Sequence, residues 1–155
     1  MGERRRRGLG RAVEGAQAER FVVEHLTCPS CGSTLRELPV GYPLFDVECS
    51  RCLFRAQVKR VKAGPRDRLR GGTFDLVSHH LKTGHLLPPL FVCFGWETGA
   101  ARPREIWFFP LVPAKNVKAR VLSERHSTPG RRMAEFVGMR ALPHSVVWSS
   151  TDEDA

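Results

Sequence analysis

The pattern of apolar positions at the start of the chain predicts a helix. From about residue 9 to residue 26, apolar or small residues recur every three or four positions and fall on one face. The members of this face are Ala12, Gly15, Ala16, Val22, Val23 and Leu26. Glu19 lies in the middle of this stripe, whereas Glu14 and Glu24 lie on the opposite face. A carboxylate among apolar residues is costly unless a cation or hydrogen bonds compensate it, so Glu19 is a candidate functional residue.

A hairpin of two strands is predicted next. The first strand covers residues 44–48 and the second covers residues 54–61, and the tight turn of residues 49–52 joins them. Apolar residues of the second strand alternate with polar ones, which is the period of a strand with one buried face. These are Phe54, Ala56 and Val58 against Arg55, Gln57 and Lys59.

The remaining pattern predicts one more helix and further strands. A Gly/Pro/Arg loop at residues 63–72 leads to a short helix, with Thr73 as its N-cap and Gly84 as its stop. Further strands are expected at residues 90–96, 105–109 and 136–141. This order of elements predicts an α/β fold, with a mixed central sheet flanked by helices.

Length and charge restrict the domain organisation and the partner. The 155 residues are enough for one domain, expected at residues 9–148, between a basic flexible arm at residues 1–8 and an acidic tail at residues 149–155. Lys and Arg number 25 against 16 Asp and Glu, for a net charge of +9, and 20 of the 25 are Arg. Because arginine pairs bidentately with phosphate, this charge favours a polyanion such as double-stranded DNA. The alternative is that the charge serves solubility alone.

The sequence also bears on the compartment. No apolar run approaches the ~20 residues of a membrane span, and no signal-peptide core follows the first arginines. We therefore expect a cytoplasmic protein with no membrane partner. Thiols are reduced in that compartment, so paired cysteines there are more often metal ligands than disulfides.

Four cysteines form two CxxC pairs that predict a structural zinc site. Cys28 and Cys31 make the first pair, and Cys49 and Cys52 make the second. Each pair can direct two thiolates at one tetrahedral ion, and four sulfurs leave no position open for substrate. A thioredoxin-like redox pair is the alternative, but it needs a single CxxC. Cys93 lies in an apolar strand and is expected to be a core thiol.

Polar residues on the hairpin predict a second, catalytic site. Gln57 and Lys59 share one face of their strand, and the turn brings Asp46 beside them. Together with Glu19 they would supply oxygen ligands for Mg²⁺ and an ammonium, which is the chemistry of phosphodiester cleavage. Each also has an ordinary alternative, because Asp46 could be a polar edge residue, Gln57 and Lys59 a solvated face, and Glu19 the partner of an arginine.

The residues around these two sites resemble a known family. The stretches CPSCG and PLFDVECSRCLFRAQVK look like the catalytic domain of DpnI-like methyl-directed restriction endonucleases, which are PD-(D/E)XK nucleases with an inserted four-cysteine zinc site. The order of features further along is similar, so the resemblance covers about residues 10–143. The winged-helix domain of those enzymes has no counterpart in this sequence, which leaves methylation dependence open.

The resemblance implies a role for each site residue. Asp46 matches the motif aspartate, Gln57 the second acidic position, Lys59 the motif lysine and Glu19 the acid of the helix. Gln57 is a departure, because it removes one negative charge from the metal site, although related Mrr-type nucleases carry such a glutamine. The matching segment for DNA contacts holds Arg131, Arg132 and Phe136, which are expected to bind phosphates or bases unless Phe136 is core and the arginines are solvated.

Three classes of function remain open from the sequence. The first is a Mg²⁺-dependent, restriction-like DNA endonuclease. The second is a non-catalytic zinc-containing DNA-binding protein on a degenerate nuclease fold, which Gln57 favours. The third is an interaction module for an acidic protein. Asp46 and Lys59 favour the first.

Overall fold

In the computed structural model, the described part of the chain comprises residues 2–122 and 130–152. It contains the helices α1 (Gly2–His25) and α2 (Phe74–Lys82). Its strands are β1 (Leu35–Glu37), β2 (Val47–Cys49), β3 (Arg55–Arg60), β4 (Leu69–Thr73), β5 (Leu90–Phe94), β6 (Glu105–Phe109), β7 (Val117–Val121), β8 (Arg132–Phe136) and β9 (Ser145–Ser149). Three short 3₁₀ helices are Ala114–Asn116, Met139–Ala141 and Ser150–Asp152.

A mixed sheet of six strands runs through the domain in the order β1-β2-β3-β5-β6-β9. Its neighbouring strands are antiparallel except for β3 and β5, which are parallel and align Gln57 with Leu90 and Lys59 with Val92. A parallel pair needs a crossover connection, and here that connection contains β4 and α2. The predicted α/β fold, with a mixed sheet flanked by helices, is confirmed.

Each face of this sheet is covered by a different layer. Phe91 and Cys93 of β5 face α1 and pack in one apolar cluster with Phe21 and Val22. The alternate residues of β5 face α2 and a second, three-stranded sheet of order β4-β8-β7. Because side chains alternate along a strand, a strand buried on both faces is apolar throughout, as the sequence of β5 is.

The first helix is longer than predicted. It begins at Gly2, so the basic stretch expected to form a separate flexible arm is the start of α1. Arginine and glutamate are good helix formers, and the two glycines, Gly8 and Gly10, cost about 1 kcal/mol each without ending the helix.

Two other predictions of elements are wrong. The end of the predicted loop at residues 63–72 is strand β4, which pairs with β8. The strand expected at residues 136–141 lies earlier, at Arg132–Phe136, and Gly138 then adopts a left-handed φ of 68° before a 3₁₀ turn. The sequence pattern also missed β7 and β9, because partly exposed edge strands lack a regular apolar alternation.

Candidate functional site

The four cysteines of the two CxxC pairs form one cluster. All four Sγ atoms lie within 4.8 Å of one another. The Sγ atoms of Cys28 and Cys52 are 3.6 Å apart, and those of Cys31 and Cys49 are 3.5 Å apart. A tetrahedral zinc ion with Zn–S bonds of ~2.3 Å would need sulfurs about 3.8 Å apart. The predicted clustering is confirmed, and its geometry fits a metal ion such as zinc.

Backbone groups around the cysteines hold the sulfurs as ligands. The N–H groups of Arg51 and Cys52 donate to Cys49 Sγ over 3.3 and 3.4 Å, and they lower the pKa of Cys49. Hydrogen bonds from Ser33 lower the pKa of Cys31 to about 6. Metal ligation requires thiolates, so both effects favour it at these two cysteines. Although the N–H of Phe54 acts in the same direction at Cys52, burial and the neighbouring cysteines raise the pKa of Cys52 to about 12. Gly32 follows the first pair with a φ of 76°, which glycine adopts without strain.

This cluster joins two segments of the chain. Cys28 and Cys49 are buried and belong to the apolar cluster beneath α1. Cys28 follows α1, Cys49 ends β2, and Cys52 lies in the turn before β3. The cluster therefore fixes the turn of the β2–β3 hairpin against the segment that follows the first helix.

Asp46 lies just before β2 and is tied to both neighbouring strands. Its N–H donates to the carbonyl oxygen of Ala56, and its carbonyl oxygen accepts from Leu38. Its Oδ2 atom accepts a 2.8 Å hydrogen bond from the N–H of Val58. Burial raises the pKa of Asp46, whereas the bond from Val58 and the charge of Lys59 act in the opposite direction. The carboxylate is thus held rigidly beside the middle of β3.

Lys59 is the cationic partner of this carboxylate. Burial lowers the pKa of Lys59, and the charge of Asp46 partly restores it. The two residues therefore stabilise each other's charged forms in a partly desolvated environment.

The backbone before Asp46 is strained. Leu44, two residues before Asp46, has a φ of 63°, and a non-glycine residue in this conformation stores backbone strain.

Glu19 approaches Asp46 from α1. It lies next to buried Ala18 and is itself partly buried. The predicted apolar stripe is correct only in part, because Ala12 and Ala16 are exposed and Ala18 is buried in their place. Burial, together with the charges of Asp46 and Glu37, raises the pKa of Glu19 from 4.5 to about 7. Glu19 and Asp46 also line one cavity of about 470 Å³ between α1 and the loop after β1. Both carboxylates have raised pKa values and line one cavity. A cation bound there would stabilise their charged forms.

Sequence reasoning missed a third carboxylate, Glu37. It is the last residue of β1 and pairs in register with Val47. Leu35 and Glu37 share a strand face, and Leu35 belongs to the apolar cluster beneath α1, so Glu37 points to the helix side. The alternation in Leu35-Arg36-Glu37 is the signal that could have found it, but three residues are too few to identify a strand.

Gln57 is placed apart from the carboxylates. It lines a small cavity of about 10 Å³ with apolar residues such as Leu44 and Val77, and neither Asp46 nor Glu19 is among that cavity's lining residues. Within residues 2–122 and 130–152, the four cysteines are the one group of three or more His, Cys, Asp or Glu side chains arranged closely enough to share a metal ion. The role of Gln57 as a metal ligand stays a prediction.

The residues predicted to contact DNA have different positions. Phe136 is 4% exposed and packs in the core beneath the three-stranded sheet, so it cannot stack on a base. The alternative that Phe136 is a core residue is therefore correct. Arg132 donates to Asp75 Oδ1 over 2.6 Å and lies over the ring of Phe74, and Arg131 is exposed. Arg131 and Arg132 remain accessible at the start of β8.

Comparisons with known proteins do not place the chain in a family. No protein-family model matches it, and no curated protein matches it. In the described ranges, neither helix is long and apolar enough to cross a membrane. The function is therefore inferred from the cysteine cluster and from the site of Asp46, Lys59 and Glu19.

Proposed function

We propose that this protein is a metal-dependent DNA endonuclease with a structural zinc ion, built on a PD-(D/E)XK nuclease fold of the DpnI-like type. One observation carries the proposal, which is the arrangement of Asp46 and Lys59. A carboxylate fixed by the N–H of Val58 and a partly buried lysine influence each other's pKa on a hairpin whose turn the four cysteines anchor. Such perturbed pairs are frequent at catalytic sites.

Each residue has a separate role in phosphodiester hydrolysis. Asp46 and Glu19 are the principal ligands for Mg²⁺, with Gln57 as the additional oxygen donor that the resemblance implies. The ion, when bound, polarises the phosphate and lowers the pKa of a water molecule. Lys59 stabilises the negative charge that develops on the phosphate. Glu37 increases the negative potential around Glu19.

The cysteine cluster has a separate, structural role in this proposal. Four sulfur ligands occupy all the positions of a tetrahedral zinc ion, so the ion takes no part in cleavage. It holds the β2–β3 turn, and through it the backbone that positions Asp46 and Lys59.

A second candidate is a non-catalytic zinc-containing protein that binds DNA. The position of Gln57 favours it, because Gln57 is uncharged and lines a different, apolar cavity from the one lined by Asp46 and Glu19. In this alternative the charges of Asp46 and Lys59 have a purely structural role.

Incubation with plasmid DNA separates the two candidates. Methylated and unmethylated plasmids are treated with the protein in Mg²⁺ or Mn²⁺, and cleavage is followed on gels. Cutting by the wild-type protein that is absent from Asp46→Ala supports the endonuclease. Binding without cutting, in both metals and on both plasmids, supports the second candidate. The two plasmids also report whether methylation directs the activity.

A further inference from the structure

A groove of about 810 Å³ lies outside the carboxylate cavity, between the end of β3, the segment that follows it and the pair β7–β8. Of its 11 lining residues, seven are Lys or Arg and one, Glu135, is acidic. The cations include Lys59, Lys62, Arg66, Arg68, Arg70 and Arg120. We call this the basic groove. Such a density of arginine in a concave surface attracts phosphates strongly.

Part of the groove is already held in place. Glu135 pairs with Arg68 over 3.3 Å and with Arg120 over 3.8 Å, so a single carboxylate orients arginines from two separate segments. Arg60, another lining residue, donates to Gln17 Oε1 and lies 4.6 Å from the ring of Trp96. Because these cations are oriented before any ligand arrives, binding loses less conformational entropy.

The groove has features of a site for the backbone of a duplex. Among the described residues that line it, none is aromatic, so unpaired bases would find no stacking surface. An acidic protein would also lack the aromatic anchors typical of a protein interface. The volume exceeds what one phosphate needs, and the cations come from several segments. Multiple phosphates along a backbone fit these features.

Lys59 connects the groove to the proposed catalytic site. It lines the groove, and its charge interacts with that of Asp46. Asp46 in turn lines the cavity with Glu19. The Asp46–Lys59 pair thus lies where a cationic surface meets an acidic cavity.

We propose that the basic groove binds the phosphate backbone of duplex DNA, independently of base sequence, and directs it to Lys59. The choice of DNA as the ligand rests on the proposed function. Phosphate binding by the groove does not depend on cleavage activity. The surface is distinct from Arg131, Arg132 and Phe136, because none of these residues lines it.

The test measures binding to a fluorescent duplex over a salt series without divalent metal, in an Asp46→Ala background so that no cutting occurs. One variant carries Arg66→Gln and Arg120→Gln, both in the groove. Its matched control carries Arg20→Gln and Arg51→Gln, which are exposed and line no part of the groove. Both variants lose the same net charge, and zinc content and circular dichroism check that each is folded.

The groove variant should bind roughly 60-fold more weakly at about 0.1 M salt, because each lost phosphate contact removes about 0.9 from the slope of log K against log salt. The control should stay within about threefold of the parent. Equal losses in both variants would overturn the proposal, because net charge and not the groove would then attract DNA. Tighter binding of single strands, or equal competition by polyglutamate, would also overturn it.

Together with the plasmid cleavage assay, this experiment distinguishes the groove proposal from the nuclease proposal. If groove-dependent binding is present but the wild-type protein never cuts, the nuclease proposal fails and the groove proposal stands. If the wild-type protein cuts and the two variants bind equally, the groove proposal fails alone.

Discussion

The cysteine cluster and the carboxylate–lysine site lie at opposite ends of one hairpin. They differ in how far the surrounding protein stabilises the charges of their side chains. The four sulfurs are within 4.8 Å of one another, and backbone N–H groups already stabilise the charge of Cys49. At the other end, burial and neighbouring charge leave Glu19 with a pKa of about 7, and burial lowers the pKa of Lys59. Local backbone bonds hold the first site, and Cys52 is the member at which burial and neighbouring sulfurs disfavour the thiolate, whereas the carboxylates and lysine of the second site all lie where burial disfavours their charges.

This difference indicates how stability and function are divided. A site whose ligands come from two tight turns is organised by local backbone geometry, so its cation contributes directly to folding. A site assembled from α1, the start of β2 and β3 keeps charge that a ligand can relieve. We therefore expect changes at the sulfurs to affect folding and changes at the carboxylates to affect activity.

Loss of a cysteine ligand should have the largest effect. Cys49→Ser should leave the protein without zinc and largely unfolded, because structural zinc binding is worth about 10–16 kcal/mol in small domains. Metal analysis and circular dichroism measure both outcomes. Cys93→Ala is the matched control, since Cys93 is buried but outside the cluster. It should keep about one zinc per chain and lose about 1 kcal/mol. Folded Cys49→Ser protein of normal stability would contradict a structural role.

Removal of either member of the Asp46–Lys59 pair should abolish detectable cleavage. Asp46→Ala and Lys59→Ala should each reduce the cleavage rate by at least about 100-fold, because each residue acts on the transition state. Zinc content should change little in both variants. DNA binding should change little in Asp46→Ala, whereas Lys59→Ala also removes one cation of the basic groove and should bind DNA about 8-fold more weakly at about 0.1 M salt. Initial rates of plasmid cleavage measure the effect.

The control for this prediction is Glu48→Gln. Glu48 lies two residues after Asp46, but it is paired with Arg36 and Arg55. Its loss should leave the rate within about threefold, as expected for a surface ion pair. Undiminished cleavage by Asp46→Ala, after exclusion of contaminating nuclease, would reject the assigned mechanism.

Glu19→Gln should increase stability in a pH-dependent manner when no magnesium is added. Since burial raises the pKa of Glu19 from 4.5 to about 7, the fold favours its protonated form, and this contribution is lost as the pH rises through 7. Glutamine imitates the protonated acid. The advantage of the variant should therefore be small near pH 5 and about 1 kcal/mol at pH 8, after allowance for solvent screening.

Denaturant unfolding at pH 5 and pH 8 tests this expectation. Glu24→Gln, an exposed position on the same helix, is the control and should change stability by less than about 0.5 kcal/mol at either pH. An equal gain for Glu19→Gln at both pH values would show that charge burial is not its cause. The same variant should need more Mg²⁺ for cleavage.

Gln57→Glu should produce the smallest effect. An added carboxylate near the site should retain cleavage and lower the Mg²⁺ concentration for half-maximal rate by about threefold. A magnesium titration of the cleavage rate measures this. Gln57→Met is the matched variant without an oxygen ligand. If both variants behave as the wild type does, Gln57 belongs to the apolar cavity and not to the metal site.

The local pattern of the sequence predicted the parts of this protein that local physics controls. The two CxxC spacings predicted the cysteine cluster, because a tight turn brings both thiolates of a pair to one side. The period of 3.6 predicted α1, and the period of two predicted β3. Thr73 and Gly84 bounded α2 correctly to within about two residues.

Tertiary structure alone decided the features that depend on distant segments. Strands β4, β7 and β9 are recognisable by their partners and not by their own alternation, because partly exposed edge strands have weak apolar patterns. The burial of Phe136, the approach of Glu37 to Glu19 and the basic groove each require segments far apart in sequence to meet. Residue spacing encodes neighbours along one element, whereas the packing of sheets and helices determines which elements share a surface.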